Sequence, residues 1–199
     1  MATTTEQIKE LREKTGAGVL DCRNALQQCG GDFEKAAQSL RDKGLAAAEK
    51  KAERAANQGI VGSYVHTGSR VAALVEVNCE SDFVAMTAEF QELAHDLAMQ
   101  VVATKPRWVR PEEVPADVLD VERESFRRQA LDEGKPERVM ERIVEGRLEK
   151  FYSQFCLLRQ LYIRDNDLTI DDLVKQKIAK FGENIVVKRL ARLEVGETL

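Results

Sequence analysis

The sequence has few of the residues that build catalytic and metal sites. Among its 199 residues are two histidines, one tryptophan and four cysteines. The cysteines (Cys22, Cys29, Cys79 and Cys156) form neither a C-x-x-C pair nor a spacing typical of zinc ligands. We therefore expect reduced thiols and neither a metal nor a cofactor, with an intersubunit disulfide as the alternative that the sequence leaves open.

Long apolar runs and an excess of basic charge are also missing from the sequence. No run approaches the length that spans a membrane, and residues 1–6 lack the basic and apolar regions of a secretory signal. The 30 basic residues face 34 acidic ones, whereas proteins that neutralise nucleic-acid phosphates usually carry a basic excess. We therefore expect a cytoplasmic protein that binds neither membranes nor nucleic acid.

The sequence also lacks glycine-rich phosphate loops. It contains neither G-x-x-x-x-G-K-[ST] nor G-x-G-x-x-G, so we expect no direct nucleotide binding. His95 stands beside an apolar helical stripe and His66 in a turn-prone loop, and neither belongs to a local catalytic motif. A Cys–His nucleophile pair would have to be assembled by the fold. These absences favour a protein that is not an enzyme.

The first 44 residues have the pattern of three short helices. Thr3 with Glu6 fits a capping box, and Asp32 is suited to cap the third helix. Gly44 stands where a glycine commonly ends a helix. We expect a three-helix module over 1–44, which resembles ubiquitin-associated domains, followed by a partly helical linker over 45–58.

Residues 59–199 mix strands and helices around a predicted core. The predicted elements are strands at 60–65 and 70–79, a helix with an apolar stripe from Phe90 to Val101, helices at 116–133 and 136–152, a strand at 155–163, a helix at 169–181 and a strand at 183–195. A short turn joins the helices at 116–133 and 136–152, which favours a helical hairpin over 115–152. Because β-α-β alternation is missing, we expect an α+β fold with an antiparallel sheet.

Residues 76–84 join a predicted strand directly to the start of a helix, and they carry an acidic residue followed by an aromatic one. On the residues alone, Asp82 can cap the following helix and Phe83 can pack onto the core as a hydrophobic staple. The other interpretation is that this corner displays both side chains to a partner.

The sequence around this corner resembles a family signature. Residues 76–84 read EVNCESDFV and are similar to the signature of elongation factor Ts, the nucleotide exchange factor of elongation factor Tu. Residues 11–26, LREKTGAGVLDCRNAL, resemble the amino-terminal signature of the same family. Further similar segments follow in order: SYVH at 63–66, KP at 105–106, GKP at 134–136 and VEGRLEKF at 144–151. The resemblance covers essentially the whole chain.

The resemblance implies a function and a set of contacts. In the family, an aspartate–phenylalanine corner enters the G domain of elongation factor Tu, disturbs its magnesium site and releases GDP. Residue matching assigns this role to Ser81, Asp82, Phe83 and Val84. The amino-terminal module is implied to contact the G domain through Arg12, Thr15, Gly16, Val19 and Leu20. His66 is implied to contact another domain of that partner.

The same resemblance implies the assembly of the protein. It would bind elongation factor Tu in its GDP-bound and nucleotide-free forms. Short members of the family resemble half of the pseudo-symmetric core of long members, which implies a homodimer.

The chain departs from the family pattern at three positions. Ser81 replaces the usual threonine but keeps a hydroxyl, Arg23 replaces a lysine, and Met86 replaces a basic residue, so no ion pair of that residue carries over. Two other function classes remain open. One is a ubiquitin-associated-like interaction module on a dimerisation domain, without exchange activity. The other is an enzyme whose turnover depends on Cys79 or His66.

Overall fold

The structure is a computed structural model that describes residues 4–197. Its helices are α1 (Thr5–Thr15), α2 (Val19–Gln28), α3 (Phe33–Glu49), α4 (Asp82–Ala85), α5 (Ala88–Thr104), α6 (Ala116–Asp132), α7 (Met140–Phe155) and α8 (Ile170–Phe181). Its strands are β1 (Gln58–Val65), β2 (Val71–Cys79), β3 (Leu161–Tyr162), β4 (Asp165–Thr169) and β5 (Ile185–Glu194). The main sheet has the order β1-β2-β5, and β3 pairs with β4 in an antiparallel hairpin. The predicted α+β class with an antiparallel sheet is confirmed.

The described residues form two compact units. The first contains the residues up to Gly59 together with Asn78–Met86 and Asp172–Val186. The second contains Ile60–Val77, Thr87–Asp171 and the residues from Val187 onward.

In the first unit, helices α1, α2 and α3 pack around a small apolar core whose buried members include Leu11, Leu26 and Leu40. The predicted capping residue Thr3 lies outside the described residues. The observed cap of α1 is Thr4, which forms a capping box with Gln7. Asp32 caps α3 as predicted.

The prediction that α3 ends near Gly44 is wrong. The helix continues to Glu49, because the residues after Gly44 are strong helix formers. A Cβ atom at Gly44 would lie 3.2 Å from the Cβ of Ala179 in α8. The glycine therefore permits close packing of two helices rather than ending one.

In the second unit, β1 packs closely against α5. The predicted apolar stripe of α5 is buried, including Phe90, Leu93 and Leu97. A Cβ atom at Gly62 of β1 would overlap the backbone carbonyl group of Ala94. Only glycine allows this approach.

Helices α6 and α7 form the predicted hairpin and pack through Ala130, Met140, Val144 and Leu148. The predicted strand at 155–163 is largely wrong. Helix α7 continues to Phe155, a 3₁₀ turn follows, and only Leu161–Tyr162 is a strand, paired with the unpredicted β4. Backbone bonds explain this, because Leu157 and Leu158 donate to the carbonyls of Trp108 and Val109 instead of to a neighbouring strand.

Candidate functional site

The acid–aromatic corner follows the last residue of β2. Ser81 is the N-cap of the four-residue helix α4, and its hydroxyl accepts a hydrogen bond from the backbone N–H of Val84 at 3.4 Å. Asp82 is the first helical residue and is exposed, and the side chain of Phe83 is 82% exposed. The structural interpretation of the pair is therefore wrong, because Ser81 provides the cap and Phe83 does not pack on the core.

Met86 enlarges the apolar surface at this corner. Its side chain is 73% exposed, and it follows Phe83 by three residues. Residues three apart lie on the same side of a helical turn, so these two side chains are neighbours at the surface. The two side chains together form an exposed apolar patch, which another protein could cover.

A carboxylate distant in sequence holds the corner in place. Oε1 of Glu183 accepts a hydrogen bond from the hydroxyl of Ser81 at 2.6 Å, and Oε2 accepts one from its backbone N–H at 3.0 Å. The carbonyl oxygen of Ser81 accepts bonds from the thiol of Cys79 and the N–H of Ala85. Sequence reasoning missed Glu183, and the only available signal was a polar Glu-Asn pair between a helix and a strand.

Asn184, the next residue, is 2% exposed and connects three segments of the first unit. Its backbone N–H donates to Glu80 at 2.7 Å, and its side-chain amide donates to the carbonyls of Ala52 and Arg54. Arg54 also pairs with Glu80 at 3.6 Å. Glu80, the residue before the corner, is thereby anchored to the segment that carries Glu183.

The predicted surface of the amino-terminal module surrounds the turn between α1 and α2. Val19 and Leu20 are exposed at the start of α2, by 51% and 69%. Gly16 ends α1 with φ of +68°, a left-handed conformation that favours glycine. The backbone N–H of Gly16 donates to the carbonyl of Arg12, and the hydroxyl of Thr15 donates to that of Leu11. The turn therefore displays Val19 and Leu20 from a well-bonded frame.

A cleft of about 180 Å³ borders this turn and is also lined by α3 and α8. Lys43 forms an ion pair with Asp21 there. The aliphatic stem of Lys180 lies over Gly16, whose Cβ would be 3.2 Å from the lysine Cδ.

His66 lies in the loop after β1 and is bonded to a tyrosine. The hydroxyl of Tyr64 lies 3.1 Å from Nδ1 of His66. The ring of Tyr64 also packs edge-on against His95, with centroids 5.5 Å apart. Nδ1 of His95 donates to the carbonyl of Ser63 at 3.1 Å. The two histidines therefore flank one tyrosine, which orients the exposed ring of His66.

The buried cysteines are unsuited to nucleophilic chemistry. All four are free thiols, and Cys22, Cys79 and Cys156 are buried. Burial, reinforced by the carboxylate of Glu183, raises the pKa of Cys79, and burial raises the pKa of Cys156 to about 11. A thiol with a raised pKa stays protonated near neutral pH, which disfavours the Cys/His enzyme interpretation.

Clusters of potential metal ligands and membrane-crossing helices are both missing among residues 4–197. In this range no cluster of three or more His, Cys, Asp or Glu residues could hold a metal ion. None of the helices there is long and apolar enough to cross a membrane.

Comparison with known proteins identifies the family. The family model described as Elongation factor TS matches residues 45–197. Elongation factor Ts of Carboxydothermus hydrogenoformans is 56% identical over 196 residues, which cover 98% of this chain and 90% of that protein. The chain belongs to the elongation factor Ts family. The family acts in translation, as an elongation factor of protein biosynthesis.

Other members of the elongation factor Ts family match over similar lengths. The protein of Caldanaerobacter subterraneus is 56% identical over 194 residues, covering 98% of this chain and 97% of that protein. That of Fervidobacterium nodosum is 52% identical over 197 residues, covering 99% and 100%. These alignments extend over the amino-terminal module of residues 1–44, which lies outside the match of the family model.

Proposed function

We propose that this chain binds elongation factor Tu in its GDP-bound and nucleotide-free forms and promotes GDP release without any bond chemistry. The observation that carries the proposal is the 82% exposure of Phe83 beside Asp82 on a capped corner of an elongation factor Ts family member. An exposed phenylalanine on a fixed backbone can become fully desolvated in a partner, which is typical of interface hot spots.

The mechanism is a linkage between two ligands of the same partner. The chain binds nucleotide-free elongation factor Tu more tightly than the GDP-bound form, so each ligand weakens the other by the same factor. Phe83 serves as the inserted anchor. The carboxylate of Asp82 competes with the polar groups that hold the partner's magnesium ion, and Ser81 and Val84 set the backbone that carries both side chains.

We assign the remaining contacts to two surfaces. Residues 1–44 dock on the partner's G domain through the turn between α1 and α2, with Arg12, Thr15, Gly16, Val19 and Leu20 at the interface. Residues 45–58, of which 45–49 continue α3, join this module to the core over 59–199. His66, oriented by Tyr64, contacts a second domain of elongation factor Tu. All of this takes place in the cytoplasm, where the partner acts.

We also propose that the chain forms a homodimer through the outer face of its main sheet. On β1, Gly62 faces α5, so Val61 and Val65 point outward, and each is 60% exposed. On the central strand β2, Leu74 lies opposite the buried residues and is 51% exposed. Leu193 of β5 is 65% exposed. A sheet face with this much exposed aliphatic surface favours burial against a second copy.

Release of fluorescently labelled GDP from elongation factor Tu tests the exchange proposal. We expect Phe83→Ala and Asp82→Ala each to slow stimulated release. The double variant should be less impaired than the product of the single effects, because both side chains act in one insertion. Wild-type rates for both single variants would rule out the corner as the exchange element.

A further inference from the structure

Helix α4 is too short to fix its own direction. It has four residues, and its backbone bonds include those from Ala85 N–H to the Ser81 carbonyl and from Met86 N–H to the Asp82 carbonyl. A single helical turn is unstable in isolation, because nucleation fixes several dihedral angles for few hydrogen bonds. Ala85 is its only buried residue. The direction in which the corner points must therefore be set by groups outside the helix.

Glu183 provides both bonds to the donors of Ser81. One carboxylate oxygen accepts from the hydroxyl at 2.6 Å and the other from the backbone N–H at 3.0 Å. With its proton directed at Glu183, the hydroxyl oxygen of Ser81 keeps a lone pair for the N–H of Val84. The carboxylate thus aligns the cap, and the cap aligns the helix.

The backbone that carries Glu183 is itself held rigidly. Gly182 ends α8 with φ of +75° and donates its N–H to the carbonyl of Ile178 at 3.0 Å. On the other side, buried Asn184 bonds to Glu80, Ala52 and Arg54. Glu183 is therefore fixed on both sides before it reaches Ser81.

We propose that Glu183 is a positioning residue for exchange. Its carboxylate fixes Ser81 and so orients Asp82 and Phe83 toward the partner. This role rests on the exchange function proposed above. It also gives a reason for a hydroxyl residue at position 81, which must donate to Glu183 and accept from Val84 at the same time.

Glu183→Gln is the most selective variant for testing this role. The amide keeps the size of the side chain but has one acceptor oxygen, and its NH₂ group opposes one of the two Ser81 donors. We expect stimulated GDP release at saturating protein to fall about tenfold, the loss typical of a charge-assisted hydrogen bond. The matched control is Glu133→Gln, which removes a carboxylate bonded twice to Arg147 in the helical hairpin. The control should stay within about twofold of wild type.

Variants of Ser81 separate positioning from general stability. Ser81→Ala removes the hydroxyl that donates to Glu183 and should slow stimulated GDP release as much as Glu183→Gln does. The double variant Ser81→Ala/Glu183→Gln should be little slower than either single variant, because all three lose the same contact. The proposal would be overturned if the loss of rate in the double variant equalled the product of the two single losses. It would also be overturned if Glu183→Gln and Glu133→Gln slowed GDP release equally.

Hydrogen–deuterium exchange of the free chain tests the contact between Glu183 and Ser81 in the absence of elongation factor Tu. Glu183→Gln should speed amide exchange at residues 81–86, while Phe83→Ala should leave these amides unchanged. Unchanged exchange in Glu183→Gln would contradict the positioning role even if GDP release fell. Another outcome is a wild-type chain that fails to stimulate GDP release from elongation factor Tu while Glu183→Gln still speeds amide exchange at residues 81–86. That result would refute the exchange function and leave the structural role of Glu183 intact.

Discussion

At the scale of single residues, the corner shows what local sequence can and cannot predict. The alternation of apolar residues predicted the change from strand to helix, and the family signature pointed to Asp82 and Phe83. The identity of the cap was not, because serine and aspartate are about equally good N-caps. Glu183 could not be found locally, since it is 102 positions from the Ser81 it binds.

The hydroxyl of Tyr64, next to His66, provides a test at this scale. Tyr64→Phe removes the group that lies 3.1 Å from Nδ1 of His66 but keeps the aromatic packing on His95. We expect binding to nucleotide-free elongation factor Tu to weaken about two- to tenfold, the range for one neutral hydrogen bond.

The matched control for this variant is Tyr152→Phe in α7. NMR of the imidazole nitrogens gives a readout specific to this contact, because the chemical shift of Nδ1 of His66 should change in Tyr64→Phe and not in the control. Unchanged binding together with an unchanged Nδ1 shift would show that Tyr64 does not orient His66.

At the scale of elements, periodicity predicted the long helices and the main strands, but glycines were ambiguous. Gly44 fits a helix end on sequence alone, yet it lies inside α3 where Ala179 approaches. The segment at 155–163 has the composition of a strand. Its backbone groups bond to residues 108–109, a long-range pairing that composition does not reveal.

Gly62 offers a test of the packing between β1 and α5. In Gly62→Ala the new methyl group would overlap the backbone carbonyl group of Ala94, so the backbone must shift. We expect the free energy of unfolding to fall by about 1–3 kcal/mol, the usual cost of overpacking.

The control for this prediction is Gly146→Ala. Gly146 lies in α7, and a methyl group there would meet no packing partner among the described residues within 4 Å. The change should therefore stabilise the protein by up to about 1 kcal/mol. Urea unfolding of both variants measures the two free energies. Equal stability of Gly62→Ala and wild type would contradict the close packing.

At the scale of the whole molecule, family membership supports the proposed exchange function, and the outer face of the main sheet is the proposed dimer interface. Leu74 lies at its centre, and Glu76 beside it pairs with Arg189 of β5 at 2.6 Å. In Leu74→Glu, two-fold symmetry would bring a charge from each copy into the same interface. We expect this variant to be a monomer by analytical ultracentrifugation.

Val121→Glu is the control for assembly, because Val121 is 68% exposed on α6, outside the sheet face. It should have the same mass in solution as the wild-type chain. A wild-type monomer, or a Leu74→Glu variant that remains dimeric, would contradict assembly through the sheet.

The central claim is that the exposed corner drives nucleotide release, and stopped-flow GDP release from elongation factor Tu at saturating protein tests it most directly. Phe83→Ala should slow the stimulated rate by about 30-fold or more, as expected for a hot spot of at least 2 kcal/mol. With Val121→Ala, which shortens another exposed apolar side chain, elongation factor Tu should release GDP at the wild-type rate. Equal rates for wild type and Phe83→Ala would contradict the claim.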